Sequence, residues 1–326
     1  MPKISAVRIS NTGGPEVMKL AEIDLPEPGP GEVRVAHKAI GLNFIDTYMR
    51  SGLYPVALPS GLGLEAAGVV EALGEGVDNL QIGERVAYGS GPNGAYANAN
   101  NVHCTRVVKI PDAIDDQTAA AMMLKGMTAQ YLLRQTYRVQ KGDTILIHAA
   151  AGGVGLIACQ WAKHLGATVI GTAGSEEKAA LARAHGADHV ILYRDEDVAA
   201  KVRELTNGTG VPVVYDAVGK DTFEASLDCL APLGMMVSYG NASGPPPDVN
   251  PLTLSAKGSL FLTRPTLFHY TASPEALQET AGDLMGVMAS GAVKIEINQT
   301  YALKDVVQAH TDLEARKTTG ATVLLP

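Results

Sequence analysis

Residues 144–178, TILIHAAAGGVGLIACQWAKHLGATVIGTAGSEEK, constrain this chain more than any other stretch. Residues 144–148 form a short apolar run of the kind found in buried parallel strands. A turn of small residues follows at 149–155, and apolar residues then recur at helical spacing from Leu156 to Leu165. Residues 168–172 are a second apolar run that ends in a Gly/Ser turn. Strand, tight turn, helix and strand in this order make a βαβ unit long enough for the right-handed crossover.

The turn carries the chemistry. Ala150, Gly152 and Gly155 occupy the three positions of G-x-G-x-x-G, with Gly153 and Val154 between the last two. A glycine at 152 lets the backbone approach a pyrophosphate, and one at 155 lets the helix sit close to the strand. The N–H groups and positive dipole of the helix start then favour phosphate. The alanine at the first position leaves open a turn that is tight for packing alone.

The second strand indicates which dinucleotide. An NAD site usually ends this strand in Asp or Glu for the ribose 2′-hydroxyl. Here the tip reads Gly171-Thr172-Ala173-Gly174-Ser175, with Lys178 one turn further on. Gly174, Ser175 and Lys178 suit a 2′-phosphate, which a carboxylate would repel, so NADP(H) is the expected cofactor. The alternative is an N-cap serine and a solvated lysine beside Glu176 and Glu177.

At 326 residues the chain has room for two domains. Lys and Arg number 26 against 34 Asp and Glu, a net charge of −8, with no long run of one sign. Nucleic acid is therefore not the expected partner. The three cysteines, Cys104, Cys159 and Cys229, are widely spaced and cannot build a disulfide framework or a C-x-x-C pair. There is no signal-like start and no apolar run near 18 residues, so no membrane insertion is expected and the cytoplasm is the expected compartment.

Residues 1–110 read as all-β, with short apolar runs at 6–9, 32–40, 66–73, 85–88 and 103–110 separated by Gly/Pro turns. This spacing predicts a partly open barrel. Helical patterning occupies 114–134, where Asp115, Asp116 and Thr118 are candidate caps. Later strands are predicted at 189–192, 211–216, 235–239 and 258–263. Two helical stretches, 274–290 and 303–314, flank a strand-like 294–301, and a strand at 321–325 follows. The predicted fold is α/β: a Rossmann doubly wound parallel sheet at 126–265, inserted in a β-rich domain made of 1–125 and 266–326.

Several stretches resemble a known family. They are Asn43-Phe44-Ile45-Asp46-Thr47-Tyr48, Arg50-Ser51-Gly52-Leu53-Tyr54-Pro55, Leu124-Lys125-Gly126-Met127-Thr128-Ala129, residues 148–163, Val214-Tyr215-Asp216-Ala217-Val218-Gly219 and residues 258–265. Together with the β-rich start and the nucleotide turn, they resemble the zinc-free quinone oxidoreductases, the zeta-crystallin-like branch of the medium-chain dehydrogenase/reductase superfamily. The bacterial NADPH:quinone oxidoreductases look nearest, and the resemblance implies a GroES-like first domain. The zinc alcohol dehydrogenase branch carries Gly-His-Glu where this chain has Gly63-Leu64-Glu65. Asn43 lies where that branch has its first cysteine ligand, and the segment around Lys125 has no cysteine. No four-cysteine lobe is present, so no metal is expected.

Without a Lewis acid, the remaining chemistry is hydride reduction of an acceptor that is already electrophilic, a quinone or an α,β-unsaturated carbonyl. The resemblance places Asn43, Tyr48, Tyr54, Thr128 and Arg264 at the acceptor slot. Asn43 and Tyr48 are then candidate donors to the oxygen that gains charge, with Tyr48 a candidate proton source. Core packing is the alternative for Tyr48, loop packing for Tyr54 and a surface ion pair for Arg264. The resemblance also puts Asn43, Phe44, Thr128, Tyr193, Tyr239, Asn241, Ser243 and Arg264 beside the cofactor. Lys125 reads as a buried ion pair or a catalyst, and His148 as a satisfied core histidine.

The resulting expectation is an NADPH-dependent, zinc-free quinone reductase, a homodimer through an edge strand at 258–263. The rivals are a 2-alkenal or enone reductase and a low-turnover NADPH-binding structural or RNA-binding protein.

Overall fold

The structure, a computed structural model, describes residues 2–326. It divides into two units. One runs to Met127 and adds Thr271–Ala281 and Ile295–Pro326. The other comprises Thr128–Tyr270 and Gly282–Lys294. Residues 282–294, which the sequence reading put with the first domain, thus cluster with the second. They include the second half of one amphipathic helix, whose Leu284 and Val287 are buried.

The first unit is built from β1 (Lys3–Ile9), β2 (Lys19–Asp24), β3 (Glu32–Leu42), α1 (Phe44–Ser51), β4 (Ser60–Gly61), β5 (Glu65–Leu73), β6 (Arg85–Tyr88), β7 (Ala99–His103), β8 (Val108–Lys109) and the start of α2 (Asp116–Tyr131). β3 organises it. At 11 residues it pairs antiparallel with β5 and β7, and register shifts at Arg34/Val35 and His37/Ala39 bend it so that it can reach both. Its inward residues Val33, Val35, Ile40 and Leu42 anchor a core that also takes in Val86, Tyr88 and Tyr96.

The second unit contains β9 (Thr144–Ile147), α3 (Gly153–His164), β10 (Thr168–Ala173), α4 (Glu176–Ala184), β11 (His189–Leu192), α5 (Val198–Leu205), β12 (Val211–Asp216), α6 (Phe223–Cys229), β13 (Leu230–Ser238), α7 (Pro251–Ala256), β14 (Phe261–Thr263) and α8 (Leu267–Tyr270). The six strands pair in parallel in the order β11-β10-β9-β12-β13-β14. Numbered from β9 that is 3-2-1-4-5-6, the doubly wound order whose switch point lies between β9 and β12. Ile145, Leu146 and Ile147 are wholly buried, as parallel strands covered on both faces require.

After this unit come α9 (Pro274–Ala289), β15 (Ile297–Ala302), α10 (Val306–Glu314) and β16 (Ala321–Leu325). β16 pairs parallel with β15 and antiparallel with β3, which returns the chain to the sheet it left.

Four predicted elements shift. The strand expected at 258–263 is only Phe261–Thr263, because Gly258 and Ser259 take positive φ (118° and 56°) in the turn that closes α7. The run at 103–110 is broken by a 3₁₀ turn at Cys104–Arg106, which leaves His103 at the end of β7 and Val108–Lys109 as the separate strand β8. The strand expected at 294–301 begins at Ile297. α2 starts after Asp115, whose Oδ1 accepts the Thr118 amide at 2.8 Å, and gives way to a wider π turn at Leu132–Thr136. The alternating strand β2 was not anticipated.

Candidate functional site

In the second unit, the turn after β9 starts with Ala149 at φ 52°, a left-handed conformation that costs an alanine energy. It aims the chain so that the Ala150 amide donates to Thr172 O at 3.0 Å, tying the turn to β10. Gly152 caps α3 with φ −80°. A Cβ there would meet only Ala149 O, at 3.1 Å, and otherwise open space. A Cβ at Gly155 would run into the carbonyl of Ala149 and lie 2.7 Å from that of Ala150. One glycine therefore keeps a cradle open and the other lets the helix close on the strand. Gly153, Val154 and Gly155 open α3 with amides that have no intrahelical acceptor. This is a fit for a pyrophosphate.

At the tip of β10, Ser175 caps α4 by accepting the Lys178 amide at 3.4 Å. The capping alternative for its oxygen is therefore realised, and its O–H can still donate to a phosphate. Lys178 is half-buried. Tyr193 lies across Gly174, with its hydroxyl 2.6 Å from where a Cβ would stand.

The turns after β12 and β13 interlock. Asp216 Oδ1 accepts from the amides of Val218 and Gly219 at 2.7 and 3.0 Å. Asp216 Oδ2 accepts from Thr222 Oγ1 and Ser226 Oγ at 2.7 and 2.9 Å. Because Ser226 donates to the carboxylate, its oxygen accepts from His148 Nε2 at 3.0 Å. His148 Nδ1 then accepts from Thr172 Oγ1 at 3.0 Å. Burial pushes the His148 pKa down, which favours this neutral form. His148 is a structural histidine tying β9, β10, β12 and α6 together. Tyr239, Asn241 and Ser243 follow β13, with Asn241 buried. The Ser243 hydroxyl is spent internally, donating to Val218 O at 2.9 Å and accepting the Asp221 amide at 3.0 Å. Arg264 donates to Ser238 O at 2.8 Å, a carbonyl contact where sequence offered a surface ion pair. Thr128 is buried on α2.

In the first unit, α1 presents Asn43 as its N-cap, then Phe44 and Tyr48. The Asp46 carboxylate reaches back to the Asn43 amide at 2.9 Å, and Gly52 closes the helix at φ 88°. Tyr48 is buried and packs edge-on against Tyr54, with ring centroids 5.3 Å apart. Glu65, wholly buried at the start of β5, accepts from Lys125 Nζ at 3.0 Å and Asn43 Nδ2 at 2.8 Å through Oε2. Its Oε1 accepts from the Leu124 amide at 2.7 Å. A carboxylate only accepts, so one Asn43 N–H is given to Glu65, while the other lies 3.5 Å from Gly41 O and the side-chain oxygen faces the Asp46 amide in the capping box. Gly41 must lack a Cβ because Glu65 and Ala120 O occupy that space.

A second buried chain was missed in the sequence. The Tyr96 hydroxyl bonds Asp46 Oδ2 at 2.7 Å and His310 Nε2 at 3.0 Å. His310 Nδ1 faces Arg50 at 3.0 Å, and Arg50 grips Glu314 with both terminal nitrogens. The Asn43-x-x-Asp46 spacing is a capping signature that could have been read. No local pattern announces a partnership between residues 96 and 310.

The donor set does not fit catalytic zinc, which takes three protein ligands and a water. Asn43, Leu64 and Lys125 are an amide, a hydrocarbon and an ammonium, and the one carboxylate, Glu65, already accepts three hydrogen bonds, one of them from the Lys125 ammonium. Among the described residues no three His, Cys, Asp or Glu side chains come together as a metal site.

Residues 29–141 match the alcohol dehydrogenase GroES-like domain and residues 153–282 the zinc-binding dehydrogenase family. The chain is 58% identical to a quinone oxidoreductase of Pseudomonas aeruginosa, over 98% of this chain and 99% of the relative. It is 45% identical to a 2-haloacrylate reductase of Burkholderia sp., over 99% of each. The crystal structure of Escherichia coli quinone oxidoreductase complexed with NADPH superposes with a TM-score of 0.97 at 49% identity, covering 99% of this chain and 100% of that one.

Proposed function

The chain belongs to the quinone oxidoreductases, within the fold family of the alcohol dehydrogenases, and on that premise we propose that it reduces quinones with NADPH and without zinc. The observation that carries this is the donor set at 43, 64, 65 and 125, which has polar and cationic groups but no metal site, in a chain that also holds an open nucleotide turn. NADPH supplies a hydride at nicotinamide C4. The amides of Gly153, Val154 and Gly155 hold its pyrophosphate, and Ser175 with Lys178 holds the 2′-phosphate. Tyr193 lies on the adenosine side, while Tyr239, Asn241, Ser243 and Arg264 of the same unit line the nicotinamide side. In the first unit the edge-on pair Tyr48 and Tyr54 offers an apolar wall suited to a flat acceptor.

The test is oxidation of NADPH by a simple quinone in the presence of a strong chelator, with NADH in parallel. Turnover that survives the chelator and prefers NADPH is expected. Activity that disappears with the chelator would overturn the metal-free reading. NADPH binding without turnover by any acceptor would instead favour a binding role. A second acceptor class is supported by the 2-haloacrylate reductase, an enzyme named for an activated alkene. Relative kcat/KM for a quinone and an enone decides between them.

The same reading makes the protein a homodimer through β14. This strand ends the six-stranded sheet, and Phe261, Leu252 and Leu233 stand exposed at 57, 73 and 67%. The unpaired cysteines suit a reducing cytoplasm. No helix of the described residues is long and apolar enough to cross a membrane.

A further inference from the structure

A lysine ammonium has three N–H donors, and burying it with fewer acceptors is costly. Lys125 is buried to 5% exposure, yet among the described residues its one hydrogen-bonding acceptor is Glu65 Oε2 at 3.0 Å. The lysine therefore retains donor capacity that the protein does not use. Glu65 is engaged on both oxygens: it takes Lys125 and Asn43 on one and the Leu124 amide on the other. This arrangement fixes the direction of the ammonium from both sides of the carboxylate. Asn43, its third member, lies where the resemblance puts the first cysteine ligand of the zinc-dependent branch.

We propose that Lys125, clamped by Glu65, is the electrophile of this site, donating an N–H to the carbonyl oxygen of the acceptor and passing it a proton as that oxygen gains charge. The inference rests on the quinone reading and names the group that replaces the metal. In the reaction the acceptor takes up a hydride, with its electron pair, from the nicotinamide C4–H bond. Its oxygen, now anionic, takes a proton from Nζ as the N–H bond breaks and an O–H bond forms. The neutral amine is reprotonated from solvent. Overall, quinone, NADPH and one proton give hydroquinone and NADP⁺. Two carboxyl groups lie near this cation, Glu65 on β5, bonded to it at 3.0 Å, and Asp46 at the start of α1. A fixed cation aimed at a developing oxyanion is the arrangement that electrostatic catalysis requires.

The test uses 4-nitrophenol, whose phenolate is coloured and mimics the anionic oxygen. It is titrated with pH on the full-length protein, with no acceptor and no turnover. A cation at the oxygen should lower the apparent pKa of the bound phenol by about one unit or more, a tenfold shift in ionisation. Lys125→Met should abolish this shift. Since that variant strands a buried carboxylate, Lys125→Met/Glu65→Gln serves as the neutral pair, checked for a wild-type-like melting curve. Both variants should also lose about 100-fold or more in kcat with quinone while NADPH still binds. An unshifted phenol on the wild-type protein, or a shift or kcat that survives in the neutral pair, would overturn the proposal. The quinone reading fails separately, by absence of wild-type turnover, and the phenol titration does not depend on it.

Discussion

Tyr96 and Asp46, 50 residues apart in sequence, share a hydrogen bond of 2.7 Å in the core of the first unit. It holds the carboxylate that caps α1, the helix that presents Asn43, Phe44 and Tyr48. The other oxygen of that carboxylate, Oδ1, is buried without a partner. Burial pushes the Asp46 pKa up to about 7, against the smaller opposing effect of the Tyr96 hydroxyl.

A measurable pH dependence results. A carboxyl whose pKa is raised on folding stabilises the protein at low pH, and the contribution is lost as pH rises through about 7. His37 and His310 act in the opposite sense. Burial holds them down at about 4 and about 3, so their contribution is present above their unfolded value and lost as pH falls below it. The whole protein therefore melts earlier below about pH 6, and the carboxyl shows only by difference. Asp46→Asn removes it, so the melting advantage of the wild type over this variant should be larger at pH 5.5 than at 7.5, by about 2 kcal/mol. An advantage that is constant with pH would mean that Asp46 does not titrate there.

The two glycines of the nucleotide turn should separate binding from folding. Gly152→Ala puts a methyl 3.1 Å from Ala149 O and otherwise into open space, and should leave Tm within about 2 °C while weakening NADPH binding about tenfold or more. Gly155→Ala drives a methyl into two carbonyls and should lower both Tm and affinity. Fluorescence titration with NADPH and a melting curve for each variant provide the check.

Lys178 is the proposed reader of the 2′-phosphate. Lys178→Met should reduce kcat/KM for NADPH about tenfold or more and leave NADH within about twofold. Equal losses with both cofactors would assign Lys178 to the fold of α4 instead.

Phe261→Glu places a charge on the exposed edge of β14. If that edge joins two copies, sedimentation should show the assembly halve in mass near micromolar concentration. An unchanged mass would move the interface elsewhere.

Much of the nucleotide unit was legible because its signals are local. The apolar run 144–148, the small turn and the helical spacing after it lie within 35 residues and need no partner to be read. β14 was read too long for the same local reason. Residues 258–260 are apolar or small like a strand, yet the positive φ of Gly258 and Ser259 turns them out of it. The first unit hid more. Glu65 and Lys125 stood in the right stretches, but their pairing joins positions 60 apart. The hydrogen bond from the Asn43 nitrogen to Glu65 joins positions 22 apart and has no local signal either. Tyr96 and His310 are separated by 214 residues, and nothing in either neighbourhood points to the other.

The placement of β16 between β15 and β3 has a consequence for how the protein is made. A ribosome delivers β3 early and its neighbour last, after the entire nucleotide unit has emerged. Until then the end of β3 that it covers, residues 40–42, is an open, apolar edge in a crowded cell. The nucleotide unit, contiguous through its six strands, can fold while synthesis continues, whereas the first unit must wait for residues 321–325. A nascent chain stalled just short of them would expose a sticky strand beside a finished cofactor domain. Chaperone capture should accordingly concentrate in that interval.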